Sequence, residues 1–90
     1  MKISIALCTY NGEKYISEQL QSLFAQTRRP DEIIISDDGS SDNTVKIAET
    51  LLYESKINYK IFKQSPSLGV FKNFEFCMSQ CTSDIIFPCD

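Results

Sequence analysis

The sequence predicts an α/β fold: a parallel sheet of about four strands in the order 3-2-1-4, with helices on both faces as a three-layer sandwich. Three observations predict it. Short apolar runs rich in β-branched residues alternate with apolar stripes at helical spacing, and every connection is long enough for a crossover. The polar residues gather where the short runs end, and in open parallel sheets ligands bind beyond the carboxyl ends of the strands.

The elements follow in order. Ile3 to Cys8 is a continuous apolar run, too short for a helix and suited to a strand covered on both faces. From Tyr15 onward, Ile16, Leu20, Leu23 and Phe24 make one helical stripe that stops before Arg28-Arg29-Pro30, with Pro30 closing the helix. Glu32 to Ser36 is a second strand, and the turn-rich Asp37-Asp38-Gly39-Ser40-Ser41-Asp42-Asn43 follows it. Val45, Ala48, Leu51 and Leu52 form a second stripe, and Ile57, Tyr59 and Ile61 alternate as a third strand. A third crossover begins near Gly69, with Val70, Phe74, Cys77, Met78 and Cys81 at helical spacing. After the turn Thr82-Ser83-Asp84, a fourth strand runs from Ile85 to Asp90.

Ninety residues hold one small core and no second domain. With 42% hydrophobic and 23% charged residues the chain reads as globular. A net charge of -3 argues against nucleic acid or an anionic membrane as the main partner, so any phosphate must be handled by something other than a basic surface. The longest apolar runs, such as Ile33-Ile34-Ile35, fall far short of the roughly 20 residues that span a bilayer. The start, Met1 to Leu7, reads as a strand rather than a leader. The expected compartment is the cytosol, or a position peripheral to the inner face of the membrane. Without histidine, carboxylates must carry any acid, base or metal chemistry. Cys8, Cys77, Cys81 and Cys89 lack C-x-x-C spacing and read as buried structural thiols. The stop at Asp90 leaves the last strand without a covering element and points to a piece of a larger domain.

The strand ends carry the chemistry. After strand one, Thr9-Tyr10-Asn11-Gly12-Glu13 has one glycine where a dinucleotide-binding turn needs three, which argues against that type of site. It offers a hydroxyl, an aromatic ring, an amide and a carboxylate, a set suited to stacking on and hydrogen-bonding a base; a plain Asn-Gly turn with a surface tyrosine is the bland reading. After strand two, Asp37 and Asp38 point to opposite faces and must do different jobs, while Gly39 permits the turn. One carboxylate accepting an N–H from uracil or thymine contributes about 1.5–3 kcal/mol and excludes cytosine, whose ring N3 is an acceptor. The competing reading is turn chemistry, with Ser41 or Asp42 capping the second helix. A calcium loop is excluded, since Gly39 falls at the third position and Ala48 at the twelfth. Asp90, beside strand one in this order, approaches a ligand diphosphate only through a divalent cation, with Mg²⁺ or Mn²⁺ the hard-ligand choice.

In this order and spacing, CTYNGEKYISEQLQSLFAQT, DEIIISDDGSSDNT, a glycine-initiated helix and IIFPCD resemble the nucleotide-binding half of family 2 glycosyltransferases, which have the GT-A fold. The resemblance covers essentially the whole chain, residues 1–90. It implies that Thr9, Tyr10, Asn11 and Glu13 line a nucleoside pocket, that Asp38 binds the uracil or thymine ring, and that Asp37 and Gly39 shape the loop. It implies a metal-binding D-x-D motif beginning at or just after Asp90, and a catalytic base and acceptor half that these residues lack. The implied reaction is metal-dependent, inverting transfer of a sugar from a UDP- or dTDP-sugar to a glycan or lipid-linked acceptor hydroxyl. Two other classes compete with this reading. A phosphoacceptor signalling domain disagrees with Cys8-Thr9 and Lys63-Gln64 at the ends of strands one and three. A non-catalytic module that dimerises through the exposed edge of strand four stays open.

Overall fold

A computed structural model of the chain describes residues 1–89. Its elements alternate as β1 (Ile3–Thr9), α1 (Ile16–Phe24), β2 (Glu32–Asp37), α2 (Thr44–Ser55), β3 (Asn58–Lys63), α3 (Val70–Ser79) and β4 (Ile85–Cys89). The strands are all parallel and ordered β3-β2-β1-β4, as the sequence predicts.

The two central strands are apolar on both faces because both faces are covered. Ile5, Leu7, Ile33 and Ile35 pack with Ile16, Leu20 and Leu23 of α1 and Ala48 and Leu52 of α2. Ala6 and Ile34 point the other way and meet Cys77 of α3. Burying each Leu or Ile contributes on the order of 1.5–3 kcal/mol. On the α3 side the small Ala6 side chain leaves room, and the Cys77 thiol lies 3.3 Å from the Ile34 carbonyl. Phe62 of β3 and Phe76 of α3 meet edge to face, with ring centroids 5.1 Å apart.

Several boundaries differ from the periodicity. β1 and β2 each run one position further, through Thr9 and Asp37, which are partners in the parallel register. The Asp38 amide then donates to the Thr9 carbonyl and the Gln64 amide to the Asp37 carbonyl, carrying the pairing to the sheet rim. α1 ends at Phe24, well before Pro30, because the amides of Ala25 and Gln26 close the last turn onto Gln21 and Leu23. Pro30 is instead buried at the entry to β2. In α3 the buried positions are Asn73 and Cys77, whereas Val70 is 83% exposed and Cys81 lies past the helix end. The expectation of four buried cysteines is corrected likewise: only Cys77 is fully buried, and Cys8, Cys81 and Cys89 are half-buried. Burial, with the Cys8 and Cys81 thiols alongside, pushes the Cys77 thiol up to about 12, so it is unreactive at neutral pH.

At the amino-terminal rim, carboxylates tie the strands together. The Ile3 amide donates to Asp31 at 2.8 Å and holds its carboxyl below the usual range; partial burial opposes this and Arg28, at 3.0 Å, adds to it. Burial pushes the Glu32 carboxyl up, but hydrogen bonds from the Ser4 hydroxyl, the Thr82 amide and the Thr82 hydroxyl pull it down by more. A carboxyl lowered by folding stabilises the native state above its unfolded pKa and loses that contribution as pH falls through the folded value. The thermal midpoint is therefore expected to be level with respect to these two groups above about pH 5 and to drop below about pH 4. Glu32→Gln should flatten part of that drop in melting curves recorded from pH 3 to 7; an identical profile in the variant refutes the assignment.

Candidate functional site

The first two strand-to-helix loops leave the same rim and are fastened to each other by reciprocal hydrogen bonds. The Asn11 amide donates to the Ser40 hydroxyl at 2.7 Å, and the Ser41 amide donates back to the Asn11 side chain at 2.9 Å. The Gly12 amide donates to the Thr44 hydroxyl at 2.8 Å. The Asn43 amide donates to Glu13 at 2.7 Å, and the Glu13 amide donates to Asp42 at 3.2 Å. Asn11 takes a left-handed φ of 49°, a conformation asparagine tolerates.

Asp42 also accepts from the hydroxyl and the amide of Thr44, and these bonds hold its carboxyl below the usual range. Of the two residues expected to cap α2, Asp42 therefore satisfies a first-turn amide. The Asn43 side chain makes no cap bond, and Ser41 binds Asn11 instead.

Asp37 and Asp38 have different surroundings, as their alternation on the strand requires. Asp37 is buried, 2% exposed. One of its oxygens accepts the Thr9 and Ser40 hydroxyls, each at 2.6 Å, and the other accepts the amides of Gly39 at 3.2 Å and Ser40 at 2.8 Å. It joins the end of β1 to the β2–α2 loop. Asp38 is half-buried and faces the opposite side, where the β3–α3 loop approaches. Its Oδ1 accepts the Leu68 amide at 2.7 Å, its Oδ2 accepts the Gly69 amide at 3.1 Å, and its carbonyl accepts the Ser67 hydroxyl at 2.6 Å.

A cavity of about 480 Å³ opens there, lined by Cys8, Thr9, Tyr10, Asp38, Ser67, Gly69, Val70 and Asn73. Of the residues singled out in the sequence, Thr9, Tyr10 and Asp38 meet around it. Tyr10 is 63% exposed, so most of its side chain is open to solvent. Asn11, Glu13, Asp37 and Gly39 lie on the loop junction instead. Asp90 lies outside the described residues.

Several wall residues escape sequence reasoning. Asn73, 3% exposed, accepts the Ser36 hydroxyl at 2.5 Å and donates to the Ser36 carbonyl at 3.0 Å, pinning the first turn of α3 to β2. Gln64 donates to the same Ser36 hydroxyl at 3.0 Å. The only sequence signal for Asn73 is its place four residues before Cys77 on the inner face of a helix. Gly69 is read in the sequence as the start of the third helix and not as a wall of the site, and Ser67 carries no signal beyond a turn-like composition.

Among the described residues, no group of three or more His, Cys, Asp or Glu side chains is placed to hold a metal ion. Asp37 is enclosed by four donors and has no acceptor position left for a metal. No helix among the described residues is long and apolar enough to cross a membrane.

The model of the family described as "Glycosyl transferase family 2" matches residues 4–90. The poly(ribitol-phosphate) beta-N-acetylglucosaminyltransferase TarS of Staphylococcus aureus (strain Mu50) is 39% identical over 71 residues, covering 77% of this chain and 12% of that protein. An uncharacterized glycosyltransferase of Haemophilus influenzae is 39% identical over 67 residues, covering 74% of this chain and 20% of its own length. The crystal structure of S. aureus TarS 1-349 superposes on the whole chain with a TM-score of 0.87 at 34% identity, using 27% of its own length; it is also known in complex with UDP and with UDP-GlcNAc. The chain spans less than a third of the length of the relatives it matches. With the family model matching residues 4–90 and the TarS fold superposing on the whole chain, this chain belongs to glycosyl transferase family 2.

Proposed function

We propose that residues 1–90 are the nucleotide-sugar-binding part of a GT-A domain that transfers a sugar from a uridine or thymidine diphosphate donor to a hydroxyl of a glycan or lipid-linked acceptor, with inversion at the anomeric carbon. The observation that carries this reading is the convergence of Thr9, Tyr10 and Asp38 on one 480 Å³ cavity at the carboxyl rim of the sheet. Tyr10 offers its exposed ring to the base and Asp38 accepts the ring N3–H, while Thr9 fixes the floor through Asp37. Asn11, Glu13, Asp37 and Gly39 shape the loops that present these groups. The UDP and UDP-GlcNAc complexes of TarS support a uridine nucleotide in particular.

These residues bind and orient; we assign none of them as the catalytic base, and the ninety-residue chain on its own is expected to bind nucleotide without transferring sugar. The proposed transfer also requires Mg²⁺ or Mn²⁺, with Asp90 as a ligand. Its location is cytosolic or membrane-peripheral. Pairing of two copies through β4 is less favoured, because Pro88 removes one N–H from that strand.

Calorimetric titration tests the reading. UDP is expected to bind in Mn²⁺, CDP to bind more weakly, and UDP to lose affinity in EDTA. Absence of UDP binding sinks the nucleotide assignment, and equal UDP affinity in EDTA sinks the metal requirement alone.

A further inference from the structure

We infer that the β3–α3 loop is the device that aims Asp38, and that Ser67 is a positioning residue for base recognition at this site; the inference rests on the nucleotide-binding reading above. The loop touches Asp38 at three points. The consecutive amides of Leu68 and Gly69 take one carboxylate oxygen each, and the Ser67 hydroxyl holds the Asp38 carbonyl at 2.6 Å. A carboxylate has about four acceptor positions, so two donors fix its plane and leave the others for a ligand. Ser67 and Gly69 themselves line the cavity into which that carboxylate faces.

The loop is anchored at both ends, so its grip on Asp38 is transmitted rather than absorbed. At its start, the Gln64 amide donates to the Asp37 carbonyl at 2.8 Å and the Gln64 side chain to Ser36 at 3.0 Å. At its end, Gly69 takes a φ of 92° as the N-cap of α3, and its carbonyl accepts the Asn73 amide at 2.9 Å. Contact on the other side of Asp38 is equally close. A Cβ on Gly39, which has a φ of 93°, would stand 2.8 Å from the Ser67 hydroxyl oxygen. The glycine of the Asp-Asp-Gly turn therefore leaves the space that Ser67 occupies. Ser67 is exposed, so its hydroxyl contributes little to the core, and a change there separates recognition from folding.

The experiment compares UDP and CDP affinities of the wild-type protein with those of Ser67→Ala, Ser67→Thr, Gly39→Ala and the double variant Gly39→Ala/Ser67→Ala, with melting curves on each. Loss of one neutral hydrogen bond predicts UDP affinity about 3- to 10-fold weaker for Ser67→Ala. CDP, whose N3 cannot donate to Asp38, should change less than about 2-fold, and Ser67→Thr should restore UDP affinity. Gly39→Ala should bind UDP more weakly than Ser67→Ala. Adding Ser67→Ala to it should recover part of the loss, because the clashing oxygen is gone. Unchanged UDP affinity in Ser67→Ala, an equal fall for UDP and CDP, or a fall explained by a lowered melting midpoint each overturns the inference. A wild-type protein that does not bind UDP refutes the underlying reading, and that arm is read separately.

Discussion

Replacing Asp38 by alanine is expected to weaken UDP binding by about 10- to 100-fold while the sheet stays folded. A hydrogen bond to a charged acceptor contributes about 1.5–3 kcal/mol, which at 1.4 kcal/mol per tenfold gives that range. The stability cost is smaller, because the amides released are those of half-exposed Leu68 and exposed Gly69, which water can reach. Asp38→Asn is the sharper variant. It keeps the shape but turns one acceptor into an NH₂ group, which must face either the Leu68 or the Gly69 amide, donor against donor. The loop then shifts, and the base loses its anionic partner. Asp38→Asn should therefore bind UDP no better than Asp38→Ala, and both should bind UDP and CDP with nearly equal affinity. Calorimetry with the two nucleotides reads this directly. A UDP dissociation constant unchanged in Asp38→Ala would mean that this carboxylate only clamps the β3–α3 loop.

The two-faced core was legible because the signal is physical and local: Ile33-Ile34-Ile35 has no polar face, and only a strand covered on both sides accepts that pattern. The different roles of Asp37 and Asp38 were legible for the same reason, since alternation on an extended strand must send them opposite ways. What escaped depends on pairing distant in sequence. Nothing near Ser67 shows that Asp38, 29 residues earlier, will lie against it. Asn11 and Glu13 match base-binding chemistry by type, yet in the fold their side chains meet the Ser41 and Asn43 amides, because the two loops leave adjacent strands. Asn73 is hidden by the apolar stripe itself, which runs through Val70 at the surface, while one of the two buried positions on that helix is polar and satisfied by Ser36.

Asp37→Ala is expected to be the most destabilising single change at this rim, by about 3–5 kcal/mol, a large fraction of the roughly 5–13 kcal/mol available to ninety residues. The carboxylate is 2% exposed and gathers four donors, so its removal opens a void and strands them. The Gly39 and Ser40 amides can rehydrate at the loop surface. The Thr9 hydroxyl, 8% exposed, cannot do so readily. Loss of the Ser40 anchor also loosens the hydroxyl that accepts the Asn11 amide, so the β1–α1 loop is released as well. Asp37→Asn should be much milder, about 1–2 kcal/mol, because the four donors are of two kinds. The amides of Gly39 and Ser40 on Oδ2 are fixed and must keep an acceptor. The hydroxyls of Thr9 and Ser40 on Oδ1 can rotate, so an NH₂ placed on that side finds them as acceptors. Urea unfolding at neutral pH measures both variants, and a shared m-value shows that the difference is one of stability. Equal destabilisation by alanine and asparagine would show that the negative charge, rather than the rotatable hydroxyls, governs this junction.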